Sequence, residues 1–354
     1  MSLTNTEHVT TDAPADLGPP APTGATPATR ASRLSGLKGI AERNALLALL
    51  LAVVVFFSVF PKSSGVFFTT QNASVLLGNQ SVVALLALAV ILPLVTGYFD
   101  FSLGAIAASS SVLTAGLMSF HQVPLVLAML ISVGFGALIG LTNGFLVARI
   151  GLNSFVSTLG MATLLGGLIQ WYTGGQTILS GIDPALPQFG GSTWLGLPRV
   201  VFVVALVAVL LWYLLAQTPF GRSLYAIGSN PRSAKLVGVR VTGSVWTSFV
   251  LAGALAGVVG VLQLARTGSA TADTGTNLLF PALAAAFLGA TAVVPGFFNV
   301  VGTIIGVLFV AVSVSGLTLS GASAWVSPVF NGAALLVAVG LSHYLGRSRV
   351  TRSS

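Results

Sequence analysis

The chain has 354 residues, of which 55% are hydrophobic and 6% charged, with a formal net charge of +8 and no cysteine; its mean hydropathy is +0.96. Soluble domains carry about 25% charged residues, so this composition excludes a soluble globular protein and implies an all-α polytopic membrane protein. The absence of cysteine excludes disulfides, thiolate metal sites and cysteine nucleophiles.

Residues 1–40 are rich in Ala, Thr and Pro and hold no long apolar run, which predicts a disordered tail. No apolar core follows an early basic stretch, so a cleavable signal peptide is not expected, and the first apolar span, Asn44 to Phe60, serves as an uncleaved anchor. Further apolar segments fall at about 82–96, 101–119, 124–147, 154–173, 198–216, 244–264, 278–294, 299–318 and 326–344. Most lie near the ~20 residues that cross ~30 Å of hydrocarbon, and together they predict about ten transmembrane helices within one membrane domain over 41–345, followed by a basic tail over 346–354. Starting the N-terminus in the cytoplasm places 12 of the 15 Lys and Arg residues on the inner side, leaving Lys62, Arg199 and Arg266 outside. This positive-inside bias predicts that both termini lie in the cytoplasm. It also accounts for the basic net charge by the bilayer, with no nucleic-acid partner.

Glycine is abundant, at 41 residues against an average near ~7%. In a bilayer small residues let helix backbones approach closely, and Gly136/Gly140, Gly253/Gly257 and Gly302/Gly306 have the four-residue spacing for that use.

The run from Val82 to Ser119 holds 38 residues; one helix of that length would span ~57 Å, so it must turn, and Gly97 and Asp100 mark the place. The arm Val82–Thr96 has 15 residues, ~22 Å of helix, which is short of the hydrocarbon core. A second short arm, Pro281–Val294, ends at Pro295-Gly296. Paired interrupted segments point to a transport pathway, because broken backbone is tolerated only where protein buries it or it lines a cavity. A bilayer-centre Asp costs ~2.5–3.5 kcal/mol on insertion scales. Asp100 is expected to offset this as the N-cap of a helix starting at Phe101, accepting the Leu103 N–H, while also offering an acceptor to the pathway. Phe99, Ser102, Asn143, Phe155, Thr158, Asn277 and Thr291 complete the candidate pathway. They are hydroxyls, amides and flat rings suited to an uncharged polyol, although any one Ser or Thr can equally bond back to its own helix.

The loop over 218–240 is the one long polar stretch between apolar spans. Pro219 and Gly221 suit a turn. Arg222 to Leu236 suit short helices broken at Gly228-Ser-Asn-Pro231, with Asn230 or Ser233 as N-cap. Its cations would also serve a plain topogenic loop. The outer stretch 174–197 reads equally as a connector or as a docking surface.

Four segments, in order, carry a family likeness. Gly221-Arg222, Tyr225-Ala226-Ile-Gly228, Asn230, Ala234 and Gly238 resemble the cytoplasmic coupling segment of the ribose-type (monosaccharide) ABC importer permeases. Thr96 to Gly104 is similar to that family's Gly-Ile-Asp-Leu-Ser-Val-Gly segment, and Asn153 to Gly160 to its Pro-Phe-Ile-Val-Thr-Leu-Gly. Leu288 to Thr291 with Gly302 to Gly306 resembles its Gly-Gly-Thr segment and the helix after it. The departures are Ala290 for a glycine, Val294 to Phe298 for a Gly-Gly-Arg-Gly-like turn, and Ser233 for an alanine. The resemblance covers about 45–342. It implies a vitamin-B12-importer-like permease fold working as a homo- or heterodimer. It further implies two ABC ATPase subunits inside, a solute-binding protein outside and a sugar as cargo. An ABC permease for branched-chain amino acids and an ion-coupled secondary transporter are the alternatives.

No phosphate-binding Gly-x-x-x-x-Gly-Lys-Ser/Thr loop is present, so ATP is expected to be bound by the partner ATPase, with no cofactor on this chain. His8, His121 and His343 are scattered and form no metal motif, and no catalytic triad or carboxylate pair is expected.

Overall fold

Hydropathy and helix-breaking residues translate directly into a set of helices. The computed structural model describes residues 30–272 and 274–350, with side-chain surroundings for 44–272, 275 and 277–340. Much of the expected tails, 1–40 and 346–354, therefore lies outside the described residues. In chain order the elements are α1 (Arg30–Val59), α2 (Ser64–Phe67), α3 (Thr70–Val95), α4 (Leu103–Ser119), α5 (Leu125–Gly144), α6 (Ser154–Thr173) and α7 (Ala185–Gly191). The two-residue antiparallel strands β1 (Thr193–Trp194) and β2 (Leu197–Pro198) follow. The chain continues with α8 (Arg199–Gln217), α9 (Pro219–Ser229), α10 (Pro231–Leu236), α11 (Val241–Thr267), α12 (Thr274–Gly289), α13 (Val300–Leu319) and α14 (Val326–Val350). The end of α5 widens into a π-helical turn over Phe145–Ile150.

Among the described residues, six helices are long and apolar enough to cross a membrane: α3, α5 with its π-helical turn, α6, α8, α11 and α13. Four shorter apolar helices accompany them, over Asn44–Val59, Leu103–Ser119, Asn277–Gly289 and Val326–Gly340. The protein is thus an all-α polytopic membrane protein.

α3 lies at the centre. Its residues from Val82 to Val95 are buried without a break, and it packs against α4, α8, α11, α12 and α13. A helix that is apolar all round belongs in such a position. The expectation of a short first arm is corrected here: α3 starts at Thr70 and has 26 residues. The polar stretch 70–81 is helical because Thr69 caps it, accepting the Asn72 N–H, and because Asn79 accepts from the Arg266 guanidinium at 2.8 Å. The second arm remains short. α12 has 16 residues and ends at Gly289, five residues before the expected Val294, because the chain turns at Ala290.

Glycine pairs set the closest helix contacts. A Cβ on Gly136 or Gly253 would collide with the carbonyl oxygen of the other, and one on Gly140 with that of Phe249, so α5 and α11 touch backbone to backbone. Gly302 and Gly306 play the same part between α13 and α12, against Gly289 and Ala285. With no hydrophobic drive between helices in lipid, such contact is what holds them together.

Candidate functional site

The first break joins α3 to α4. Pro93, inside α3, cannot continue the backbone ladder. The helix ends two residues later with the Thr96 hydroxyl on the Pro93 carbonyl at 2.7 Å and Gly97 at φ +85°, a conformation that favours glycine. Two backbone N–H groups of the following loop reach α6: Phe99 N–H donates to Ser154 Oγ at 3.3 Å, and Phe101 N–H to Thr158 Oγ1 at 3.0 Å. Thr158 Oγ1 in turn donates to the Ser154 carbonyl at 2.7 Å. Non-helical backbone at membrane depth needs partners from protein, and the Ser154/Thr158 pair, one turn apart on α6, supplies them. Thr158→Val is therefore expected to orphan the partly buried Phe101 N–H and cost about 1–3 kcal/mol. It should appear as a lower thermal midpoint in detergent, which Thr158→Ser restores.

Asp100 is 4% exposed. Its Oδ1 accepts from the Ser102 N–H at 2.9 Å and from Ser102 Oγ at 2.6 Å, while Asn143 Nδ2 donates to Ser102 Oγ at 2.7 Å. This corrects the expected cap. α4 starts at Leu103, two residues later than predicted, so Asp100 closes a local turn onto Ser102 and leaves Leu103 N–H alone. Asp100, Ser102 and Asn143 form one buried polar cluster, in which Asp100 Oδ2 and Asn143 Oδ1 have no hydrogen-bond partner. Their burial makes them the internal brace of the break in this conformation.

The second break joins α12 to α13. Val293 at φ +61° and Gly296 at φ +87° reverse the chain, and Gly296 N–H donates to the Ala290 carbonyl at 2.8 Å. Asn299 caps α13, accepting the Gly302 N–H at 2.7 Å. Thr291 is used locally, donating to the Leu288 carbonyl at 2.7 Å. A row of rings joins the two breaks. Phe155 meets Phe101 edge-on at 5.0 Å; Phe101 and Phe287 flank Phe99 at 6.1 and 6.0 Å; and Phe287 meets Phe298 at 5.2 Å. Asn277, on the N-terminal half of α12, stands apart from both.

α9 touches both breaks, and α10 follows it. Thr218 caps α9, accepting the Gly221 N–H at 3.2 Å with Pro219 in the first turn. Gly221 is therefore helical rather than a turn residue, and it is buried against the Leu214 and Leu215 carbonyls. Asn230 caps α10, accepting from Arg232 N–H at 3.0 Å and Ser233 N–H at 3.1 Å. Gly228 meets the first break so closely that a Cβ would collide with the Val95 carbonyl oxygen. Tyr225 meets the second, its hydroxyl donating to the Phe298 carbonyl at 2.8 Å. Burial holds the Tyr225 phenol above its usual pKa, which keeps that donor protonated. Ala226 is half-buried and Ala234 buried, while Gly238, at φ +86°, ends the α10 turn.

The outward side of this hairpin carries features that sequence reasoning missed. Leu236 and Val237 are 87% and 79% exposed, and Arg232, Lys235 and Arg240 line a neighbouring cleft of about 440 Å³. Arg222 is also exposed. An apolar pair inside an otherwise basic loop was the available signal. For Ser154 it was the four-residue spacing from Thr158, which puts two hydroxyls on one helix face.

The family described as "Branched-chain amino acid transport system / permease component" matches residues 72–339. The chain belongs to this family and is a multi-pass permease of the inner membrane. Among its relatives, the ribose import permease protein of Escherichia coli (strain K12) is 31% identical over 304 residues, covering 84% of this chain and 92% of the relative. That of Bacillus subtilis (strain 168) is 35% identical over 274 residues, covering 77% and 85%. The fructose import permease protein of Rhizobium meliloti is 30% identical over 307 residues, covering 85% and 84%. No solved structure matches the chain.

Proposed function

We propose that the chain is the membrane subunit of an ATP-driven ABC importer that carries a monosaccharide or sugar-like solute into the cell. The observation that carries this reading is the α9–α10 hairpin. It rests on the backbone of both breaks through Gly228 and Tyr225, and it presents Leu236 and Val237 away from the fold. Such a lever needs a partner on its outward side. An ATPase subunit that grips the exposed pair and moves the hairpin would move the ends of both interrupted segments together. The relatives that import ribose and fructose support a sugar-like cargo over an amino acid.

In this reading the six long and four shorter apolar helices make ten spans with both termini in the cytoplasm. Two such subunits, the same or different, enclose the pathway. Two ATPase subunits bind and hydrolyse ATP inside, a solute-binding protein delivers cargo outside, and this chain carries no cofactor of its own. Phe99, Asp100, Ser102, Asn143, Phe155 and Thr158 brace the pathway wall, and Asn277 and Thr291 lie along α12 and at its end.

Leu236→Glu combined with Val237→Glu tests the coupling surface. A detergent-solubilised wild type should retain its ATPase subunit, whereas the double variant should fold normally and lose at least about tenfold of it, a change of about 1.4 kcal/mol. A wild type that never retains an ATPase, even after mild crosslinking, would instead favour an ion-coupled transporter.

A further inference from the structure

A cavity of about 460 Å³ opens between α12 and the start of α14, a size in the range of small-molecule sites. Its polar lining comes from Asn277, Ser327 and Asn331, and its apolar lining includes Phe280 and Pro281. Among the described residues none that lines it carries a charge, a lining that suits an uncharged ligand.

One acceptor there lacks a donor: Asn331 Oδ1 is buried and has no hydrogen-bond partner. A buried acceptor without a donor is costly, and a ligand rich in hydroxyls can supply one. Two carboxamides and the Ser327 hydroxyl can donate or accept in return, and the half-exposed ring of Phe280 offers a face to C–H groups. The cavity also lies on the helix that ends at the second break, and interrupted helices are where transporters build their sites.

We propose that this cavity is a way-station for the cargo, taking a neutral polyhydroxylated molecule of monosaccharide size through Asn277, Ser327 and Asn331. The proposal rests on the importer reading given above. It predicts that the α12–α14 face is lined by water during transport rather than sealed by lipid or by a second copy.

The chain contains no cysteine, so Ser327→Cys introduces a unique thiol. In right-side-out membranes holding the complete complex, a charged, membrane-impermeant thiol reagent is expected to label this variant. It should label Val329→Cys, an exposed apolar position on the same helix, at least about tenfold more slowly. High concentrations of ribose, fructose or another member of a pentose, hexose and polyol panel should slow the labelling of Ser327→Cys. Asn331→Ala should lower maximal uptake about fivefold, the worth of one hydrogen bond, with ATPase recovery unchanged.

Absence of labelling overturns the proposal and marks a lipid-sealed face. A disulfide between two Ser327→Cys copies overturns it in favour of a subunit interface. Labelling that no polyol slows overturns it as a solute site. Failure of the importer reading is read separately, from a wild type that retains no ATPase.

Discussion

Gly253→Leu is expected to abolish recovery of monodisperse protein, while Gly134→Leu leaves it near wild type. A Cβ on Gly253 would collide with the Gly136 carbonyl oxygen and come within 2.9 Å of the Gly140 Cα. Both obstacles are backbone, so no side-chain rotation relieves them, and α5 and α11 must separate along their whole contact. Gly134 sits on the same helix as Gly136, but nothing lies within 4 Å of a Cβ placed there. The comparison therefore separates the size of the new side chain from the packing of the seam. Overpacking a well-packed core costs about 1–3 kcal/mol and occasionally more, and a seam of backbone contacts belongs at the upper end. Size-exclusion chromatography of fluorescently tagged variants measures the outcome. A Gly253→Leu protein that elutes and melts like the wild type would refute the backbone-to-backbone seam.

The second large effect is expected at Gly228. Gly228→Val places a branched side chain where the Val95 carbonyl oxygen sits, which pushes α9 off the end of α3. The surface proposed to face the ATPase is unchanged, since Leu236 and Val237 lie on the far side of the Asn230 cap. Under the proposed mechanism the variant complex keeps its ATPase and its basal hydrolysis, while uptake falls at least about tenfold, or about 1.4 kcal/mol of coupling. Parallel assays of uptake and ATP hydrolysis in reconstituted vesicles decide the matter. Unchanged uptake would show that the contact with the first break transmits nothing. Loss of the ATPase as well would show that the two surfaces are not independent.

Several features were legible in the sequence because they depend on local chemistry. The apolar runs fall on apolar helices, and among the described residues six of these are long enough to cross a membrane. Gly97 ends α3 because of the backbone conformation that glycine alone adopts without cost, and the Asn230-Pro231 pair separates α9 from α10 through the capping chemistry of Asn. The four-residue glycine spacing identified the seam faces, although not which helix each would meet. The length of α3 was not legible. The hydropathy of 70–81 is too low for a span on its own, and the Arg266 side chain that pairs with Asn79 lies 187 residues away.

The candidate site divides along the same line. Asp100, Ser102, Asn143 and Thr158 were singled out as polar residues in apolar surroundings, and the structure gathers them at the first break. Their roles came from partners that no local rule predicts: the Phe101 N–H finds Thr158 across 57 residues, and Tyr225 finds Phe298 across 73. By itself the sequence determined a membrane permease of a known family, the order of its helices, the positions of its two breaks and its one long polar loop. Hydrophobicity, glycine conformation and proline's missing N–H act within a few residues, so one strand of text suffices to read them. Only the tertiary structure decided that the polar loop rests on both breaks, which hydroxyls satisfy the interrupted backbone, and that α12 and α14 line a common cavity. Those outcomes depend on which helices pack together, and that is set by shape and by the pairing of buried polar groups over the whole chain.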